Sequence, residues 1–187
     1  MQLYQIRDCA IASGRAVYSI QQLSNLIGRS RAVSTVYSSR LVKKGLAIRV
    51  MKGTISFVDD PFVIATQLVE PSYVSLNSAL LFHEVIQQVP KAIECATTKN
   101  SLKYNNIKAV YHKIPKGLFY GYKRHGKANS YVFVAEPEKA ILDGIYLNLY
   151  GKDDFDELTS KVSHTRLLEL ASRFDGRGSK KIRSMIK

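Results

Sequence analysis

No apolar run in these 187 residues approaches the roughly 18 to 20 needed to span a membrane as a helix. The opening Met1-Gln2-Leu3-Tyr4-Gln5-Ile6-Arg7-Asp8 lacks the basic-then-apolar order of a signal peptide, so no membrane partner and a cytoplasmic location are expected. Cysteine is almost missing. Cys9 and Cys95 have no Cys or His at ligand spacing around them, which argues against zinc and against a disulfide framework; both read as small buried hydrophobes. His83, His112, His125 and His164 are scattered, and neither an H-E-x-x-H pattern nor a glycine-rich phosphate loop occurs. No catalytic residue, metal ion or cofactor is therefore expected. Glu94, Lys99, Glu136 and Glu138 could be assembled into a metal-dependent nuclease site, but they lack the acid-x-Lys spacing such sites use. Acidic residues are missing where they matter most: none lies between Asp8 and Asp59.

What is present is a globular chain, 45% hydrophobic and 23% charged, with a formal charge of +13. An excess of that size calls for a polyanionic partner, with nucleic acid first. Residues 1–60 hold nine basic residues against three acids, a net +6, while the remaining 127 residues share +7. Positive charge is thus about twice as dense at the N-terminus, and the turn-like Asp59-Asp60-Pro61 closes that stretch. Two domains are expected, 1–60 and 61–187, the latter with a helical tail from about residue 151.

Leu3, Ile6 and Ala10 recur at helical spacing until Ser13-Gly14. An extended piece at 16–18 leads to Ser19, which with Gln22 forms a capping box ahead of the stripe Ile20, Leu23, Leu26, Ile27. Gly28-Arg29-Ser30 makes a tight turn, and Ser30 caps a third helix from Arg31 to about Lys44. Val33, Val36, Tyr37 and Leu41 are read as its packing stripe, and Arg31, Ser34, Thr35 and Ser38 as its outward, hydrogen-bonding stripe. Segments 46–51 and 54–58 flank Lys52-Gly53 as a β-hairpin. Helix, helix, turn, helix, hairpin is the order of a winged helix-turn-helix. In that fold the third helix enters the major groove and the wing reaches phosphate or the minor groove. The expected DNA-contacting residues are Arg29, Ser30, Arg31, Ser34, Thr35, Ser38, Arg40 and Lys43 around the helix, with Arg49, Lys52 and Thr54 on the wing. Arg31 is the candidate for a guanine contact, whereas Arg40 is read as laying its stem on the core and its head on a phosphate.

Beyond Pro61 the pattern mixes helices and strands, and the overall class is α+β. Helices are read over 61–69 and 76–85, the second capped by Ser75. Strands are read at 92–96, 109–114, 118–122 and 130–134, a small sheet covered by helices. A helix opens at Pro137 with Ile141, Leu142, Ile145 and Leu149 on its inner face. Three short helices follow at 153–162, 165–174 and 179–186, Gly176 and Gly178 separating the last two. Lys123-Arg124-His125-Gly126-Lys127 reads as a basic loop tip, so Lys123, Arg124 and Lys127 form a candidate second nucleic-acid patch. The tail residues Lys180, Lys181, Arg183 and Lys187 are a further basic group.

Two runs bring a family into view: Pro71-Ser72-Tyr73-Val74-Ser75-Leu76-Asn77-Ser78-Ala79-Leu80 and Val134-Ala135-Glu136-Pro137-Glu138-Lys139-Ala140-Ile141-Leu142-Asp143. In this order, after a helix-turn-helix, they resemble the AbiEi-type antitoxins of type IV toxin-antitoxin systems, known from phage abortive infection. The resemblance implies an N-terminal domain that binds inverted repeats in the promoter of its own operon and represses it. It implies a C-terminal domain that assists and counteracts a nucleotidyltransferase-like toxin. Read without the resemblance, Glu138, Lys139 and Asp143 fit a solvated helix face, and Tyr73, Ser75 and Ser78 fit a helix cap and its packing. A winged-helix regulator without a toxin and, more remotely, the nuclease are the competing readings.

Overall fold

The computed structural model describes residues 2–174 and 177–186, so Gly176 and Lys187 lie outside the described residues. The chain is α+β and divides into two compact units. The first comprises residues up to Leu68 together with His125–Val132; the second comprises Val69–Arg124 and Phe133 onward. The division falls at Leu68 rather than Asp60. Instead of ending a domain, the Asp60 carboxylate accepts from the amides of Phe62 and Val63, 3.0 Å each, and starts a helix. Among the described residues no helix is long and apolar enough to cross a membrane.

In the first unit, α1 (Leu3–Ala12), α2 (Ile20–Ile27) and α3 (Arg31–Lys43) stand with a three-stranded antiparallel sheet. Its strands are β1 (Val17–Ser19), β2 (Ile48–Met51) and β3 (Thr54–Ser56), with β3 in the middle. The local signals act as chemistry requires. Ser19 accepts from the Gln22 amide at 3.2 Å while the Gln22 side chain accepts from the Ser19 amide at 2.9 Å. Gly28 ends α2 at φ 62°, where a Cβ is strained. Ile6, Ala10, Tyr18, Leu23, Ile27, Leu41, Ala47 and Ile55 make one buried cluster, with Phe57 set edge-on to Tyr18. Cys9, expected inside, is exposed on α1; Cys95 is buried.

The helix α4 (Pro61–Leu68) completes this unit through Gln67, which is buried. Its Oε1 accepts from the amides of Ala16 (2.8 Å) and Val17 (3.2 Å). Its Nε2 donates to Ser130 Oγ (2.9 Å) and the Tyr131 carbonyl (3.0 Å). Ser130 in turn donates to the Gly14 carbonyl at 2.7 Å, and Lys127 sits 3.4 Å from the Asp60 carboxylate. A buried amide with donors and acceptors all engaged specifies one arrangement of these segments.

The second sheet has six strands in the order β6-β7-β5-β4-β9-β8. These are β4 (Ser72–Val74), β5 (Ile93–Thr97), β6 (Leu102–Tyr104), β7 (Ala109–Lys113), β8 (Tyr122–Lys127) and β9 (Ser130–Ala135). Around them lie α5 (Leu76–Phe82), α6 (Pro137–Tyr146), α7 (Lys152–Thr159), α8 (His164–Ser172) and α9 (Arg177–Ile186). Several expectations are corrected. Residues 116–118 form a 3-10 turn and the strand begins only at Tyr122, so Lys123 to Lys127 are strand and not a loop tip. The turn is Ala128-Asn129, both at positive φ. Gly178 falls within α9 rather than before it, and Leu149 lies past the end of α6, exposed.

Helix α6 is buried from Glu138 to Ile145. Lys139 and Asp143 are fully buried and paired, not solvated as their i, i+4 spacing suggested. Lys139 Nζ also donates to the Tyr73 hydroxyl at 2.9 Å, which donates to Asp143 Oδ2 at 2.9 Å. Ser75, expected as the cap of α5, makes no capping bond and donates to the same carboxylate oxygen at 2.8 Å. Tyr120 and Phe174 cover the ammonium, their ring centres 5.2 and 5.3 Å away. Burial pushes the Lys139 ammonium down from its ordinary range, against the pull of Asp143, and pushes the Tyr73 phenol up. Gly144, on the same helix, leaves room for the Tyr150 ring, since a Cβ there would meet that ring at 2.1 Å.

Candidate nucleic-acid interface

Helix α3 presents two faces, and they are not those its hydroxyl pattern suggested. Ser34, Ser38 and Leu41 are buried, with Tyr37 and Val42 partly so. Val33 and Val36 are 41% and 49% exposed. The serines point inward because α2 and α3 pack closely, and small side chains permit that approach. Ser34 donates to the Ser30 carbonyl at 2.9 Å, whereas the buried Ser38 hydroxyl has no partner among the described residues. Ser38→Ala should therefore raise stability by roughly 1 kcal/mol, removing an unsatisfied buried hydroxyl and improving helix propensity. Urea unfolding checks this, and a loss of stability would show that the hydroxyl has a partner.

The outward face carries Ala32, Val36, Ser39 and Lys43 at i, i+4, i+7 and i+11, all exposed. Arg31 and Thr35 flank it on one side, Val33 and Arg40 on the other, also exposed. Arg40, expected against the core, lies here instead. Arg29 and Ser30 sit exposed at the helix start, where Ser30 Oγ accepts from the Val33 amide at 3.4 Å. On the β2–β3 hairpin Arg49 and Lys52 are exposed and Thr54 is partly buried. Among the described residues, Arg29, Arg31, Arg40, Lys43, Lys44, Arg49 and Lys52 have no carboxylate partner. Seven cations over one short helix and one hairpin, with no acid among them, repel one another unless an anion lies across them.

The other basic candidates lie along β8. Lys123 belongs to the second unit, 3.7 Å from Glu136, and Arg124 is exposed beside it; Lys127 belongs to the first unit. Glu136 receives a two-pronged bond from Arg166 at 2.9 and 2.8 Å, which holds its carboxyl below the ordinary range. Glu138 accepts from the Ser163 amide at 3.0 Å, at the start of α8. Glu94 accepts from the Asn77 amide at 3.1 Å, and burial pushes its carboxyl up despite that bond. The carboxylates proposed for a nuclease thus serve separate partners, and no group of three or more His, Cys, Asp or Glu among the described residues is placed to hold a metal ion.

No family model matches the chain. No curated protein matches it either. The fold is similar to that in the crystal structure of the RV2827C protein from Mycobacterium tuberculosis, with a TM-score of 0.54 and 14% identity. The likeness covers 98% of this chain and 75% of that one, and it is a likeness of fold alone.

Ala32, Val33, Val36, Ser39 and Lys44 are the surface residues of this region that the sequence pattern left out. A signal was there: Ser34, Ser38 and Leu41 repeat at i, i+4 and i+7, as Ser24 and Ile27 do at i and i+3 on the buried side of α2. Small side chains on facing stripes mark closely packed helices as readily as they mark a hydrogen-bonding surface.

Proposed function

We propose that the first unit is a winged helix-turn-helix that binds double-stranded DNA, with α3 in the major groove and the β2–β3 hairpin as the wing on the adjacent backbone. The observation that carries this reading is the set of exposed, unpartnered cations on α3 and the hairpin around a face free of acids. A major groove admits one α-helix, and phosphates on both sides of it meet side chains on the helix flanks. In this arrangement Arg31, Arg40 and Lys43 take phosphates or the groove edge, and Arg49 and Lys52 take the neighbouring backbone.

On the same footing we propose that the protein is an AbiEi-type antitoxin that represses its own operon through inverted repeats and counteracts a nucleotidyltransferase-like toxin. This rests on the two sequence runs around Tyr73 and Lys139, which meet in one buried network. The action on DNA is intracellular. Footprinting on the region upstream of the gene tests the first part: two protected half-sites related by inverted symmetry are expected, about one helical turn apart or a multiple of it. No protection at low salt overturns it. Co-expression with the toxin from the neighbouring gene tests the second part, where restored growth is expected and persistent arrest overturns the antitoxin assignment.

A further inference from the structure

We infer that the first two turns of α3 read thymine, through apolar contact with its 5-methyl group, by means of Ala32, Val33, Thr35 and Val36. This rests on the DNA-binding reading and deepens it. The four side chains lie exposed on adjoining positions of the helix's N-terminal half, the part of a recognition helix that meets base edges. Val33 and Val36 are 41% and 49% exposed, a poor use of valine by helix propensity and no help to solubility. The Thr35 hydroxyl donates its proton to the Arg31 carbonyl at 2.8 Å, so it has no proton to offer a base and its methyl is left as an apolar contact.

Amide and carboxylate readers are missing from the same helix. Residues 31–43 contain no Asn, Gln, Asp or Glu, so no side-chain amide there makes the paired bonds that identify adenine and no carboxylate accepts from cytosine N4. The cations frame the methyls: Arg29 and Arg31 stand just before them at the helix start, and Arg40 and Lys43 follow in the C-terminal half. In the major groove the thymine methyl is the apolar group among the base edges, and it distinguishes T·A from C·G where hydrogen bonding is absent. A methyl-bearing surface framed by cations therefore selects thymine-containing steps while the backbone contacts supply affinity.

The test uses the full chain and a pool of random 40-base-pair duplexes, amplified with thymine and carried through rounds of binding selection. Selected duplexes are then resynthesised with uracil at each thymine in turn, which deletes the methyl and leaves the pairing unchanged. Affinity is expected to fall about 4-fold for each contacted methyl, and 5-bromouracil, with an apolar atom at the same ring position, should restore it. Val36→Ala should weaken binding to the thymine duplex and shrink the thymine-to-uracil ratio at one position. Selected duplexes that bind equally well with uracil throughout overturn the thymine inference and leave DNA binding standing. A pool that yields no duplex bound better than the starting mixture overturns the DNA-binding reading itself.

Discussion

Lys139→Met should destabilise the second unit by about 3 to 5 kcal/mol, the cost of leaving one member of a buried ion pair without its partner. The Asp143 carboxylate is fully buried and accepts from Tyr73 and Ser75 as well as from Lys139. Without the ammonium it keeps two hydroxyl donors and loses the cation paired with it, and methionine fills the space beneath Tyr120 and Phe174 without replacing that charge. Urea unfolding followed by circular dichroism measures the loss. Lys139→Met combined with Asp143→Leu should cost less than the two single changes added together, because the apolar pair strands no charge, though Tyr73 and Ser75 then lack their acceptor. Additive losses would mean that Lys139 and Asp143 contribute separately, through packing.

The second large effect concerns DNA. The triple variant Arg31→Ala, Arg40→Ala, Lys43→Ala should flatten the dependence of log affinity on log salt by about 3 per protomer and remove most binding at 150 mM salt. All three side chains are exposed and have no partner among the described residues, so the fold should be unaffected, which a thermal melt of the variant checks. Lys91→Ala with Lys103→Ala and Lys108→Ala, three exposed lysines of the second unit, is the matched control and should leave the salt slope unchanged. Equal flattening by both variants would assign binding to net charge spread over the chain rather than to α3.

Much of the first unit was legible because its punctuation is local. Ser19 with Gln22, Gly28 and Ser30 each satisfy helix-end groups within a few residues, and such bonds do not depend on distant partners. The orientation of α3 was not legible. Whether serine or valine faces inward is decided by how closely α2 approaches, a distance no residue of α3 encodes alone. The strands β4 and β6 were missed because three residues are too few for an alternating pattern to show. The β8–β9 turn uses Ala128-Asn129 at positive φ, with none of the glycine that marks such turns. Lys139 and Asp143 misled for another reason: an i, i+4 ion pair has the same spacing in water and in a core, and partners distant in sequence, such as Tyr73, 66 positions away, tell the two apart.

The dependence of the first unit on Gln67, Ser130 and Tyr131 has a consequence for synthesis. A ribosome releases the chain from its N-terminus, and units of structure form as their parts emerge. Helices α1 to α3 and the β2–β3 hairpin leave early, but the segment that satisfies the Gln67 amide group is not translated until residues 130 and 131. The first unit is therefore completed late in translation, after the buried side chains of β4 and β5 have been made. A chain that stalls before that point carries α3 and its exposed cations without the closing contacts, so the completed first unit belongs to finished molecules rather than to initiated ones.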